Sequence, residues 1–160
     1  MSDIAVCLWF DDQAEEAAAL YTSIFPRSRI LSTIPYPDGA PGPAGSVMLV
    51  TFEIDGVEVQ ALNGGPAFTF SEAVSLVVSV DTQEEIDRIW DALLADGGVP
   101  SQCGWLKDKF GMSWQVTPRG LEEMARDPER YARAMAALMG MVKIDIAARE
   151  AAADAAPQPA

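Results

Sequence analysis

The sequence predicts an α+β protein in which one strand–helix–strands unit is used twice. Residues 4–10 (IAVCLWF) and 74–80 (VSLVVSV) are short, continuous apolar runs of the kind that form buried strands. Each is followed by a helix with apolar residues at i, i+3, i+4 and i+7. These are Ala17, Leu20, Tyr21 and Ile24 in the first and Ile86, Ile89, Trp90 and Leu93 in the second. The second set lies 69 positions after the first, residue for residue, and extended runs follow both helices.

The elements follow in order. Asp12 opens the first helix, with Glu15 at capping-box spacing, and Phe25-Pro26 stops it. Three strand-like runs come next, Arg29–Ile34, Ser46–Ile54 and Val57–Asn63. A Pro/Gly-rich loop separates the first two, and Asp55-Gly56 is a hairpin turn. The third run ends in Gly64-Gly65-Pro66. In the second half Thr82 and Glu85 repeat the capping box, and Asp96-Gly97-Gly98 ends the helix. Val99–Leu106 is extended, Lys107–Gly111 is a polar turn, and Met112–Thr117 is a strand stopped by Pro118. The third strand of this half is the least distinct, which leaves room for one run to hold two short strands.

The remainder is helical. A short helix covers Gly120–Asp127. Asp127 then caps a helix that has Pro128 at its first position. Its apolar face is Tyr131, Met135, Leu138 and Met139, and Gly140 ends it. A last helix starts at Asp145. The expected organisation is a single domain over residues 1–155. It comprises a first module at about 1–65, a second at about 72–118 and C-terminal helices at 119–153. The Ala/Pro-rich residues 154–160 form a flexible tail.

Composition narrows the chemistry. The 160 residues carry 24 Asp+Glu against 11 Lys+Arg, a net charge of −13, and no His. Such charge disfavours nucleic acid and anionic membrane as partners. Without His there is no Ser-His-Asp triad, Cys-His dyad or HExxH zinc site. The N-terminal MSDIAVCLWF lacks a basic region before an apolar stretch, and no run reaches the ~18 apolar residues of a membrane span. A cytoplasmic protein with Cys7 and Cys103 as free thiols is expected.

The segments CLWFDDQAEEAAALYTSIFP, VQALNGGPAFTF, DTQEEIDRIWDALLADGG, QCGWLKDKFGMSWQVTP and KIDIAARE cover most of the chain from Ile4 to Glu150. Together they resemble the PhnB-like branch of the vicinal-oxygen-chelate superfamily, which also holds glyoxalase I, extradiol dioxygenases and antibiotic-resistance proteins. Members of the branch are often labelled demethylubiquinone methyltransferase-like. The resemblance implies duplicated βαβββ modules, each curling into half of a cup-shaped mixed sheet. It also implies a small ligand inside the cup and a homodimer.

Metal-dependent relatives place ligands on the cup-facing side of each module's first strand and on the last strand of the second. Here the matching positions are one of Ala5, Cys7 and Trp9, then Ser75 as the best match beside Val77 and Ser79. The last is Gln115, four residues after Gly111, where metal-binding relatives carry Glu. Val59 or Gln60 matches a fourth position. An amide, a hydroxyl and at most one thiol make a poor divalent-metal site, so no metal and no cofactor are expected. The methyltransferase label lacks support in the residues: the LNGGP segment precedes Pro66, Phe68 and Phe70 rather than opening a helix, unlike a nucleotide-binding glycine loop.

The candidate ligand site is Trp9, Ser75 and Gln115 as walls with Asn63 at the rim. Strand alternation puts Cys7 and Trp9 on one face, with Leu8 and Phe10 under the helix. In the second half it puts Ser75 and Ser79 opposite Leu76 and Val78, and Ser113 and Gln115 opposite Trp114 and Val116. Gln115 reads equally as a ligand partner or as a buried amide satisfied by backbone, and Asn63-Gly64-Gly65 also reads as a turn. Cys7 reads chiefly as a small buried hydrophobe and Cys103 as structural. Glu15-Glu16 and Glu84-Glu85 sit in first helical turns, where acids offset the helix dipole. No catalytic residue is assigned. The expected function is binding of a small, neutral organic molecule in a metal-free cup; the alternative is a lyase, a transferase or the labelled methyltransferase of the same superfamily.

Overall fold

The computed structural model describes residues 4–155, and its chain divides into two compact units, Met1–Phe70 and Ser71–Ala160. Of the tail expected to be flexible, residues 156–160 lie outside the described residues, and Asp154 ends a helix.

The first unit runs β1 (Val6–Phe10), α1 (Ala14–Ile24), β2 (Arg29–Pro35), β3 (Val47–Ile54) and β4 (Val57–Asn63). Its strand order is β1-β4-β3-β2, with β1 parallel to β4 and the other pairs antiparallel. Asp55 and Gly56 both take positive φ, as a two-residue hairpin requires. Period-2 alternation gives the sheet two different faces. Leu8, Phe10, Val50, Phe52, Val59 and Ala61 are buried on the α1 side. Ala14, Ala17 and Ala18 of α1 are fully buried, and small residues there let the helix lie close to the sheet. Leu20 is only half-buried, whereas Tyr21 is fully buried near Phe52.

The expected capping box at Asp12 and Glu15 does not form. Gln13 is the N-cap and its side chain accepts no capping bond. The first-turn donor is met from a distant strand instead: Ala14 N–H donates to Asn63 Oδ1 at 2.8 Å. Cys7 is exposed rather than buried, because alternation puts it on the face α1 does not cover and β1 is a sheet edge.

The second unit repeats the plan with β5 (Leu76–Val80), α2 (Gln83–Leu94), β6 (Val99–Pro100), β7 (Trp105–Lys107) and β8 (Ser113–Pro118). The order is β5-β8-β7-β6, with β5 parallel to β8. This is the duplication read from the 69-residue offset. Here the Thr82–Glu85 capping box forms in both directions, and Ile86, Ile89, Trp90 and Leu93 are all buried. The run Val99–Leu106 does hold two short strands. It breaks where Cys103 and Gly104 take φ of 58° and 81°.

Three helices complete this unit: α3 (Leu121–Met124), α4 (Pro128–Leu138) and α5 (Ile146–Asp154). Asp127 caps α4 and Asp145 caps α5, as expected. Arg130 on α4 bonds Glu150 at 2.7 Å and Asp154 at 2.8 Å, tying α4 to α5. The segment between these helices is stitched to the sheet domain. Cys103 and Gly104 N–H donate to the carbonyls of Met141 and Val142 at 2.7 and 2.8 Å. The Gln83 amide donates to Ile144 O at 3.1 Å and accepts from Ile146 N–H at 2.9 Å. Lys143 pairs with Asp87 at 2.7 Å and holds that carboxyl below its ordinary pKa, chiefly through the hydrogen bond.

Candidate functional site

The expected site residues fall in both units, and each unit places its own. In the first, Trp9 is half-buried on the sheet face away from α1. Its Nε1–H donates to Gly65 O at 2.8 Å, and its ring meets Phe68 edge-on at 5.0 Å. A Cβ on Gly64 would overlap the Trp9 indole, so glycine is required there by close approach. Asn63 is buried on the α1 side. Its Oδ1 caps α1, its Nδ2 donates to Val47 O at 2.9 Å, and its carbonyl accepts from the Tyr36 hydroxyl. The LNGGP segment therefore has an architectural reason at each central position: cap, close approach and acceptor.

In the second unit Ser75 and Gln115 come together. Gln115 Nε2 donates to Ser75 Oγ at 2.9 Å, which leaves Oε1 as the acceptor the amide can offer. Gln115 also lines a cavity of about 1070 Å³. Strand residues Val77, Ser79, Trp105 and Thr117 line it from the sheet, and Met135, Leu138 and Met139 line it from α4 and its C-terminal end. Ser113, expected to share a face with Gln115, is buried, and its hydroxyl has no hydrogen-bond partner among the described residues.

The donor chemistry does not fit the metal of the superfamily. Ser75 Oγ already accepts from the Gln115 amide, so the two matching positions offer a hydroxyl and an amide oxygen. No group of three or more His, Cys, Asp or Glu side chains is placed to hold an ion among the described residues. S-adenosylmethionine fits no better. The Gly64-Gly65 segment leads into a loop, not a helix, and the Trp9 ring occupies the space beside it.

Acid–base candidates are equally constrained. The Cys7 thiol is exposed, yet the surrounding protein still desolvates it enough to raise its pKa, which disfavours the nucleophilic thiolate. Glu72 at the cavity wall bonds Lys107 at 2.6 Å, and that hydrogen bond holds its carboxyl below the usual range, so it is an ionised partner rather than a proton donor. Cys103 Sγ lies 3.6 Å from Met139 Sδ.

Two features escape the sequence reading. Asp108, in what reads as a polar turn, is only 3% exposed. Its Oδ1 accepts from the N–H groups of Phe110 and Met112, and its Oδ2 accepts from Trp114 Nε1 at 2.9 Å. The Asp-x-x-Gly spacing before a Trp-bearing strand is the signal that could have marked it. The second feature is the part α4 plays in the cavity. Its apolar face is legible as a period, but what that face covers is not.

The β1-α1-β2-β3-β4 plan and its repeat are shared with known proteins. A family profile described as 3-demethylubiquinone-9 3-methyltransferase matches residues 2–117. The chain belongs to this PhnB-like family. A PhnB protein from Bacillus cereus, provisionally described as a 3-demethylubiquinone-9 3-methyltransferase, is 37% identical. The similarity covers 73% of this chain and 99% of that one, with a TM-score of 0.66. Protein PA1353 from Pseudomonas aeruginosa is 23% identical over 74% of this chain and 98% of its own, with a TM-score of 0.59. The fosfomycin resistance protein FosX from Listeria monocytogenes is 15% identical over 77% and 97%, with a TM-score of 0.53. The last two show the fold alone. A comparison with curated proteins gives no match. Among the described residues, no helix is long and apolar enough to cross a membrane.

Proposed function

We propose that this PhnB-like protein binds a small, neutral organic molecule without a metal ion. The observation that carries the reading is the cavity of about 1070 Å³ that Gln115 lines, a size suited to a small molecule. Its chemistry supports a neutral occupant. The strand side offers hydroxyls, one amide oxygen and an indole, and the helix side offers thioether and aliphatic groups. Ser75 positions the Gln115 amide, and Trp105 supplies the aromatic wall. The working form is a cytoplasmic homodimer.

The family description favours a second reading, methyl transfer to a demethylated quinol, and the 37% identity to the Bacillus cereus protein is its support. Against it stand the occupied glycine segment and the absence, among the described residues, of an activated base near Gln115. Native purification followed by solvent extraction and elemental analysis separates the readings. The expected result is a co-purified organic compound with no stoichiometric metal. Stoichiometric divalent metal, or turnover of S-adenosylmethionine with a demethylated quinol, would contradict the proposal.

A further inference from the structure

The family match ends at residue 117, and 73% of this chain accounts for 99% of the Bacillus cereus protein. The helices α3, α4 and α5 lie beyond that match, yet Leu121, Met135 and Leu138 line the cavity. They are not loosely appended. The bonds from Cys103, Gly104 and Gln83 to Met141, Val142, Ile144 and Ile146 fix the segment to the sheet domain. Gly104 shows how close that approach is: a Cβ there would lie 2.7 Å from Val116 O and 2.8 Å from Ile144 Cδ1.

One wall residue from this segment stands out chemically. Arg149 on α5 lines the cavity and is only 4% exposed. Its Nη2 pairs with Glu150 at 2.5 Å, but its Nε has no hydrogen-bond partner among the described residues. A buried donor left without an acceptor is unfavourable, and a guanidinium carries several donors in one plane. Charge decides which acceptor suits it. Glu150 and Asp154 already balance Arg130 and Arg149, and the rest of the cavity wall carries three acids, Glu72, Glu122 and Glu123, against two cations, Arg119 and Arg126. With a net charge of −13 on the chain, a carboxylate ligand is repelled, whereas a carbonyl oxygen is not.

We infer that the C-terminal helical segment, residues 119–154, builds the ligand-selecting wall of this cavity and that Arg149 makes it a site for a compact, uncharged apolar ketone. The inference rests on the reading that the cavity holds a ligand. Met135 and Leu138 pack the apolar body, and the guanidinium donates to the carbonyl oxygen.

The test uses two neutral fluorescent probes on the full chain. 6-Propionyl-2-(dimethylamino)naphthalene carries a carbonyl, and N-phenyl-1-naphthylamine does not. Leu138→Trp narrows the cavity at its α4 wall and should weaken both probes by roughly tenfold. Arg149→Met should weaken the ketone by about tenfold, the usual loss for a hydrogen bond to a charged donor, and leave the amine within about twofold. Arg149→Lys keeps a donor and should restore part of the ketone preference, and it serves if the Met variant fails to fold. Probe binding that ignores Leu138→Trp, or that falls equally for both probes in the folded Arg149 variants, overturns the inference and leaves the proposed function standing. Absence of binding by the parent protein to either probe overturns both.

Discussion

Asp108→Asn is expected to destabilise the second unit by about 2–4 kcal/mol, although the side chains are nearly isosteric. The carboxylate accepts from two backbone N–H groups through Oδ1 and from the Trp114 indole through Oδ2. Asparagine has one acceptor and one NH2 group. If its oxygen keeps the backbone bonds, the NH2 faces the indole N–H, donor against donor. If it flips, the NH2 faces two backbone donors. Either arrangement strands buried polar hydrogen, and Trp114 at 1% exposure has no water to turn to. Urea unfolding followed by tryptophan fluorescence checks this. A change within about 0.5 kcal/mol, the range of an ordinary surface substitution, would contradict it.

Asn63→Ala should cost about 2–3 kcal/mol through a different element. The substitution removes the acceptor for Ala14 N–H and the donor for Val47 O, both otherwise satisfied by one buried amide. It also frees the segment that carries Gly65, whose carbonyl holds the Trp9 indole. Loss of α1 helicity by circular dichroism and a red shift of Trp9 emission should accompany the drop in stability. Asn63→Asp tests the geometry. It preserves the cap to Ala14 but places a carboxylate oxygen against the Val47 carbonyl, so it should recover only part of the loss. Full stability in Asn63→Ala would mean that α1 needs no remote cap.

The sequence was informative wherever one local period decided the outcome. The α2 face, the α1 face apart from Leu20, the Asp55-Gly56 hairpin, and the Thr82, Asp127 and Asp145 caps follow from neighbours within a few positions. So does strand alternation, which separated Trp114 and Val116 from Gln115. Long-range bonds were not legible. Asp12 and Glu15 satisfy the capping-box spacing, but the acceptor for α1 comes from Asn63, 49 positions away. Alternation identifies Cys7's face but cannot say that β1 is a sheet edge, where that face stays open. Asp108 looks like any turn aspartate until the hairpin folds over it. The family resemblance located the segments that matter. Their glycines and asparagine proved to serve packing and capping, while the cavity's helix-side wall comes from beyond the family match.

The cavity lined by Gln115 and the α4 face is proposed to bind a small neutral organic molecule. Methyl-labelled methionine NMR on the full chain tests it most directly, with 6-propionyl-2-(dimethylamino)naphthalene as the added compound. Met135 and Met139 line the cavity, whereas Met112 is buried in the core at 1% exposure and is not part of its wall. Saturable shifts of the Met135 and Met139 methyl signals are expected, with Met112 unchanged. Saturable binding that leaves Met135 and Met139 unmoved, or no binding at all, would contradict it.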